Sequence, residues 1–177
     1  MKKTLLLALI ILAGFSGRIS AQEFSLTNTG FINISDGKSY YVANIEGLNK
    51  QQLYTKARSY FMTIYNSPKE VMSEVENEQI VINAITSDYV VVVFNPAQSN
   101  MWHFRYSFKI NFRDNQIRIE PQFLSLDNLE TGATVDLYRL FNKKGEVKKP
   151  KAVDFVNNCI NYLTSDFISN ILEEEEW

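Results

Sequence analysis

The chain has 177 residues, with 18 basic and 20 acidic side chains, one His and one Cys. A single Cys excludes an internal disulfide, and a single His excludes a His-based metal cluster. The slightly acidic balance argues against a polyanion as partner.

Residues 1–21 read as an export signal. Lys2 and Lys3 give a positive start, Leu5 to Ala13 an apolar core too short to span a membrane, and Ser20-Ala21 a small-residue cleavage site before Gln22. No Cys stands at the cut, so no lipid anchor on a new N-terminal Cys is expected. Removal of this segment lowers the basic count from 18 to 15 and leaves 20 acids, a charge of about −5 on the remaining chain. The expectation is an exported protein, periplasmic or extracellular in a bacterium. The mature chain is expected to hold one domain and no transmembrane segment.

Residues 22–38 are polar and turn-rich, an N-terminal extension with room for an extra strand. Asp36-Gly37 reads as a hairpin dipeptide between residues 31–34 and 40–45, and 40–45 is the first clear strand. A helix follows. Asn49 and Gln52 form a capping box, and Leu48 and Leu53 stand at the hydrophobic-staple positions. Leu53, Ala57, Tyr60, Phe61 and Ile64 share a face at the helical period, and Asn66-Ser67-Pro68 ends it. Two strands are read next, 79–85 and 89–94, with Ser87-Asp88 as the turn between them. The β-branched run Val90 to Val93 suits a central strand covered on both faces.

Residues 101–113 alternate strictly. Trp102, Phe104, Tyr106, Phe108, Ile110 and Phe112 make one face, and His103, Arg105, Ser107, Lys109, Asn111 and Arg113 the other. That is a long strand with one buried and one wet face. Asp114-Asn115 turns it into a partner carrying Ile117, Ile119 and Phe123 against Arg118, Glu120 and Gln122. With the turn as register, Arg113 faces Gln116, Phe112 faces Ile117, Ile110 faces Ile119, Phe108 faces Pro121 and Lys109 faces Glu120. A one-residue slip would set Phe112 against Arg118.

Residues 127–150 read as a long basic loop, with a short strand or helical turn over 135–141. Lys143, Lys144, Lys148, Lys149 and Lys151 surround Gly145 and Pro150, as a solvated loop or a patch for an acidic partner. A final helix over 152–172 presents Ala152, Val156, Cys159, Ile160, Leu163, Phe167 and Ile171 on one face. Cys159 on that face reads as a buried, inert thiol. Glu173 to Glu176 oppose the helix dipole and read as an acidic, fraying tail.

The order strand, helix, four strands, helix predicts an α+β fold: an antiparallel sheet with two helices packed on one face. It is the order of one repeat of the TATA-binding protein. The chain resembles more closely the domain of unknown function (DUF) 4468 family, which has a TBP-like β-α-β-β-β-β-α fold and consists of short exported proteins of Bacteroidetes. The resemblance rests on Tyr41-Val42 leading to Gly47-Leu48, on Gln52-Leu53-Tyr54 with Ala57 and Tyr60, and on Tyr106 to Asp114 turning into Ile117-Arg118-Ile119. It spans about residues 40–123. Asp114-Asn115 stands where Asp-Gly is expected, and Tyr60 where the helix often carries Trp. The resemblance implies a fold and a compartment, and no activity.

No catalytic constellation is present in the sequence. There is no Gly-rich phosphate loop, nucleophile elbow or paired-Cys motif, so neither cofactor nor metal is expected. Carboxylates that meet only in space would make a small envelope hydrolase the alternative. The leading expectation is a non-catalytic binding or assembly module of the cell envelope. It would use the open sheet face carrying His103, Arg105, Lys109, Arg113, Arg118 and Glu120. An anionic glycan, a peptide or a second subunit fits a face whose only acid among these six is Glu120. Nucleic acid does not fit, given the net charge, the export signal and the lack of wedge aromatics on the wet face. Self-association as a structural protein is the third reading, and a plain hydrated sheet surface is the fourth.

Overall fold

The computed structural model describes residues 23–96 and 100–173; the expected export signal over 1–21 and the acidic tail beyond Glu173 lie outside the described residues. Strands β1 (Phe24–Thr27) and β2 (Gly30–Asn33) form a separate two-stranded sheet. The main sheet holds β3 (Tyr41–Asn44), β4 (Met72–Val75), β5 (Gln79–Val91), β6 (Met101–Arg113), β7 (Gln116–Asp127) and β8 (Thr134–Val135). Its order is β3-β7-β6-β5-β4, every pair antiparallel, with β8 paired to the far end of β7. Helices α1 (Lys50–Ile64) and α4 (Pro150–Leu172) cover one face, and α2 (Pro68–Val71) and α3 (Leu137–Leu140) are single turns.

The core forms between that face and the two long helices. Phe61 of α1, Phe167 of α4 and Phe108 of β6 meet with ring centroids 5.2–6.3 Å apart. All three are fully buried. Such aromatic contacts add to the area they bury. Helix α1 begins on the capping box read from sequence: Gln52 N–H donates to Asn49 Oδ1, and Asn49 N–H to Gln52 Oε1, both at 2.9 Å. Ile64 departs from expectation, because it lies at the exposed end of the helix.

The β6–β7 register agrees with the sequence reading at all five pairs named above. The turn also docks. Ile45 N–H donates to the Asn115 carbonyl at 2.8 Å and Asn115 N–H to the Leu48 carbonyl at 2.9 Å. Gly47 N–H donates to Asn115 Oδ1 at 3.0 Å, and Lys50 N–H to Asp114 Oδ1 at 2.8 Å. Asn115 has φ +60°, a left-handed conformation that Asn tolerates. Asn here does what Gly would do for the backbone and adds a side-chain bond. Asp114 meets one of the unpaired N–H groups at the start of α1.

Three sequence expectations are corrected. Asp36-Gly37 does not join two paired strands, since β2 and β3 belong to different sheets; the N-terminal hairpin turns at residues 28–29. Residues 79–94 are not two strands around a turn. β5 runs from Gln79 to Val91 along β6, with Thr86, Ser87 and Asp88 bulged out between the pairs Ile85–Arg105 and Tyr89–His103. The fourth strand is instead β4, whose four residues carry little apolar signal. The Val90–Val93 segment is not covered on both faces, because Val91 and Val93 are exposed. The short strand or helical turn expected over 135–141 is present as β8 and α3, and the same stretch adds a bridge between Phe141 and Val147.

The hairpin β1–β2 lies along α4. Asn157 and Asn161 complete its backbone bonding, accepting from Leu26 N–H at 2.8 Å and Phe24 N–H at 2.7 Å. Phe31 joins it to Phe104 on the helix-bearing face of the sheet, with centroids 6.3 Å apart.

Candidate functional site

The face opposite the helices carries the residues singled out from sequence. Alternation along β6 and β7 sends Arg105, Lys109 and Arg113, and Arg118 and Glu120, to this side. Glu120 is the hub. Its Oε2 lies 2.9 Å from Lys109 Nζ and its Oε1 2.8 Å from Arg118 Nε. Asn111 Nδ2 reaches Oε1 at 3.4 Å, while Asn111 Oδ1 accepts from Gln79 Nε2 at 2.9 Å. The Arg118 guanidinium lies 3.9 Å from the Tyr40 ring centre, a cation–π stack. Together these groups floor an open depression of about 870 Å³, which also reaches Lys50, Arg113 and Asp114. Arg113 is exposed at its edge.

His103 and Arg105 stand at the other end of the face and do not line that depression. Arg105 Nε lies 2.6 Å from Asp127 Oδ2, and Ser125 Oγ donates to Asp127 Oδ1 at 2.5 Å. The Asp127 side chain is only 8% exposed, so this pair is anchored in the sheet. His103 Nδ1 lies 2.9 Å from the Thr86 carbonyl. A carbonyl only accepts, so Nδ1 carries the proton in this bond. The imidazole also rests against Tyr89, with centroids 5.8 Å apart.

The sequence reading treated the face as a mainly positive surface, and the structure changes that. Arg105, Lys109 and Arg118 each hold a carboxylate. Asp127 escaped notice because β7 bulges at Leu124. Phe123 faces Tyr106 and Ser125 faces Arg105, so beyond the bulge the odd-numbered residues move to the outer face. Tyr40, Gln79 and Asn111 were missed as site residues because polar and aromatic side chains at such positions are ordinary on any wet strand. Among the described residues no group of three His, Cys, Asp or Glu side chains is arranged to hold a metal ion.

The second concavity lies on the helix side. It is a cleft of about 590 Å³ between the end of α1, the bulge of β5 and the middle of α4. Tyr65 and Tyr106 meet in it through their hydroxyls at 2.9 Å. Burial pushes both phenols above their ordinary range. Cys159 lines the cleft, and burial raises its thiol to about 11, which keeps it protonated and unreactive at neutral pH. That agrees with the inert reading of this residue.

A sheet in this strand order under two helices defines the TBP-like class of α+β domain. Residues 40–125 match the family described as domain of unknown function (DUF4468) with TBP-like fold. A TBP-like protein from Parabacteroides distasonis ATCC 8503 superimposes with a TM-score of 0.58 at 15% identity, over 77% of this chain and 92% of that one. At that identity the likeness concerns the fold alone. A DUF4468 family protein from Bacteroides ovatus ATCC 8483 aligns at TM-score 0.48 and 10% identity, over 75% of this chain and 81% of its own. No curated protein matches the chain.

Proposed function

We propose that this protein is an exported, non-catalytic binding module of the bacterial cell envelope that takes a glycan on its open sheet face. The observation that carries the reading is the depression around Glu120, about 870 Å³ of concave surface on a face that no long helix covers. It is broad and lined by planar polar groups: the amides of Gln79 and Asn111, the Glu120 carboxylate and the Arg118 guanidinium beside Tyr40. Such groups offer donors and acceptors in fixed directions, which suits the hydroxyls of a sugar. The mutual pairing of Lys109, Arg118 and Glu120 favours a neutral glycan over a strongly anionic one, because the charges on the floor already answer one another and only Arg113, exposed at the edge, lacks a carboxylate partner among the described residues. Export rests on residues 1–21 and is tested by sequencing the N-terminus of the secreted chain.

The binding test is calorimetric titration of the exported chain with neutral and anionic envelope oligosaccharides. The expected result is binding of the neutral sugars, weakened at least about tenfold by Asn111→Ala, a change of about 1.4 kcal/mol. Absence of binding by every oligosaccharide would overturn the reading. So would a stable dimer burying this face over more than ~1,000 Å².

A further inference from the structure

The helix-side cleft differs in charge from the sheet face, where acids and bases pair. Four aromatic rings line it: Tyr65, Tyr106, Phe155 and Tyr162. Among the described residues one carboxylate lines it, Asp88, and no Lys, Arg or His does. Asp88 stands in the bulge of β5, where two extra residues push the chain out of the ladder. The bulge is braced: Thr86 Oγ1 donates to the Asp88 carbonyl at 2.8 Å and accepts from Phe104 N–H at 3.0 Å, and the Thr86 carbonyl takes His103 Nδ1–H. A bulge held in this way re-aims a side chain and does not merely interrupt a strand. The Asp88 carboxylate makes no ion pair among the described residues, unlike Asp127 and Glu120 on the sheet face. Its field nevertheless reaches the cleft wall, where it contributes to the raised pKa of Cys159. Tyr162 is 74% exposed, an uncommon degree for so large an aromatic side chain on a packed helix.

Aromatic faces are negative at their centres, and an unpaired carboxylate adds a full negative charge. A cleft of 590 Å³ falls within the size range of small-ligand sites. We propose that this cleft binds a small organic cation, an ammonium carried on an apolar or aromatic body, with the apolar part against Phe155 and Tyr162 and the charge toward Asp88. Charge complementarity decides the class: an anion would meet Asp88 with no cation in the described lining to offset it, and a neutral molecule would gain nothing from that charge.

The test uses three probes of one shape and different charge on the full exported chain: benzyltrimethylammonium, benzyl alcohol and phenylacetate. Binding is read from backbone amide shifts at residues 85–88 and 158–163, which flank the cleft. The expected result is saturable shifts with the ammonium, weaker ones with the alcohol and none with the acid. Asp88→Asn should weaken the ammonium about three- to tenfold and leave the alcohol unchanged. Asp88 and Tyr162 are both exposed, so Asp88→Asn and Tyr162→Ala leave the core intact. Equal binding of ammonium and alcohol, insensitivity to Asp88→Asn, or no binding of any probe at millimolar concentration would overturn the proposal.

Discussion

The two ends of strand β6 are built differently. At the Arg113 end the ladders to β5 and β7 run without a break from Ile85–Arg105 and Phe123–Tyr106 to the hairpin tip, and four hydrogen bonds lock that tip to residues 45–50. At the Met101 end both ladders are interrupted, by the Ser87-Asp88 bulge on one side and the Leu124 bulge on the other. The regular end commits its inner side chains to the core and its outer ones to a mutually paired surface. The bulged end turns Asp127 to the outer face, onto Arg105, and leaves Asp88 at a cleft rim. A long antiparallel pair tolerates such breaks because the remaining pairs on either side still fix the register. In this fold the regular end supplies an unbroken ladder, and the bulged end keeps core side chains such as Trp102 and Phe104 while setting Asp88 at a rim that the core does not use.

The largest effect that would sharpen this contrast is at Phe112. It is 3% exposed and meets Tyr54 edge-on at 5.7 Å. Phe112→Ala should lose about 3–5 kcal/mol, the usual cost of emptying a large core position. Chemical denaturation would show this as a shift of midpoint at constant slope. A loss under about 1 kcal/mol would mean the regular end does not carry the fold.

Asp127→Ala comes next. The carboxylate accepts from Arg105 and from the buried Ser125 hydroxyl, and its removal strands that hydroxyl. Arg105 is half exposed and can turn to water, which limits the damage. The expected loss is about 1–3 kcal/mol by the same denaturation measurement, with Asp127→Asn less severe. An unchanged midpoint would show that the Leu124 bulge places Asp127 for something other than stability.

These sites also mark where the sequence was readable. The β6–β7 register could be written down from thirteen alternating residues and one turn, because a slip would reverse every side chain. The capping box of α1 was legible for the same kind of reason: a local rule with few competing solutions. The bulges were not legible. Ser87-Asp88 carries an ordinary turn signal, and only the length of β6 across from it, able to pair with both flanking segments, keeps β5 in one sheet position. Leu124 changes which face the later residues take, so Asp127 was invisible to any reading by alternation. Glu120 with Lys109 was predicted as a pair; Arg118 and Tyr40 joined them only through side-chain reach.

Asn115 tests the hairpin tip more finely. Asn115→Ala must keep φ at +60° without the side-chain bond to Gly47, at an expected loss of about 1–2 kcal/mol. Asn115→Gly accepts that φ freely and gives up only an exposed hydrogen bond, so it should fall within about 0.5 kcal/mol of the parent. If Gly costs as much as Ala, the docking bond matters more than the backbone conformation.

The smallest effect is expected at Tyr106, on the same inner face of β6 as Phe112 but at the bulged end. Its ring is buried, stacks toward Phe104 at 5.3 Å, and remains in Tyr106→Phe. The lost hydroxyl has one protein partner, the Tyr65 hydroxyl, which lines the cleft and can turn to water there. The change should therefore cost less than about 1 kcal/mol, while altering amide shifts around residues 85–88 and 158–163. A loss of several kcal/mol would break the comparison between the two ends. It would mean that the tyrosine pair holds α1 to the sheet as firmly as Phe112 does, and that the cleft end, like the hairpin end, is built for the fold.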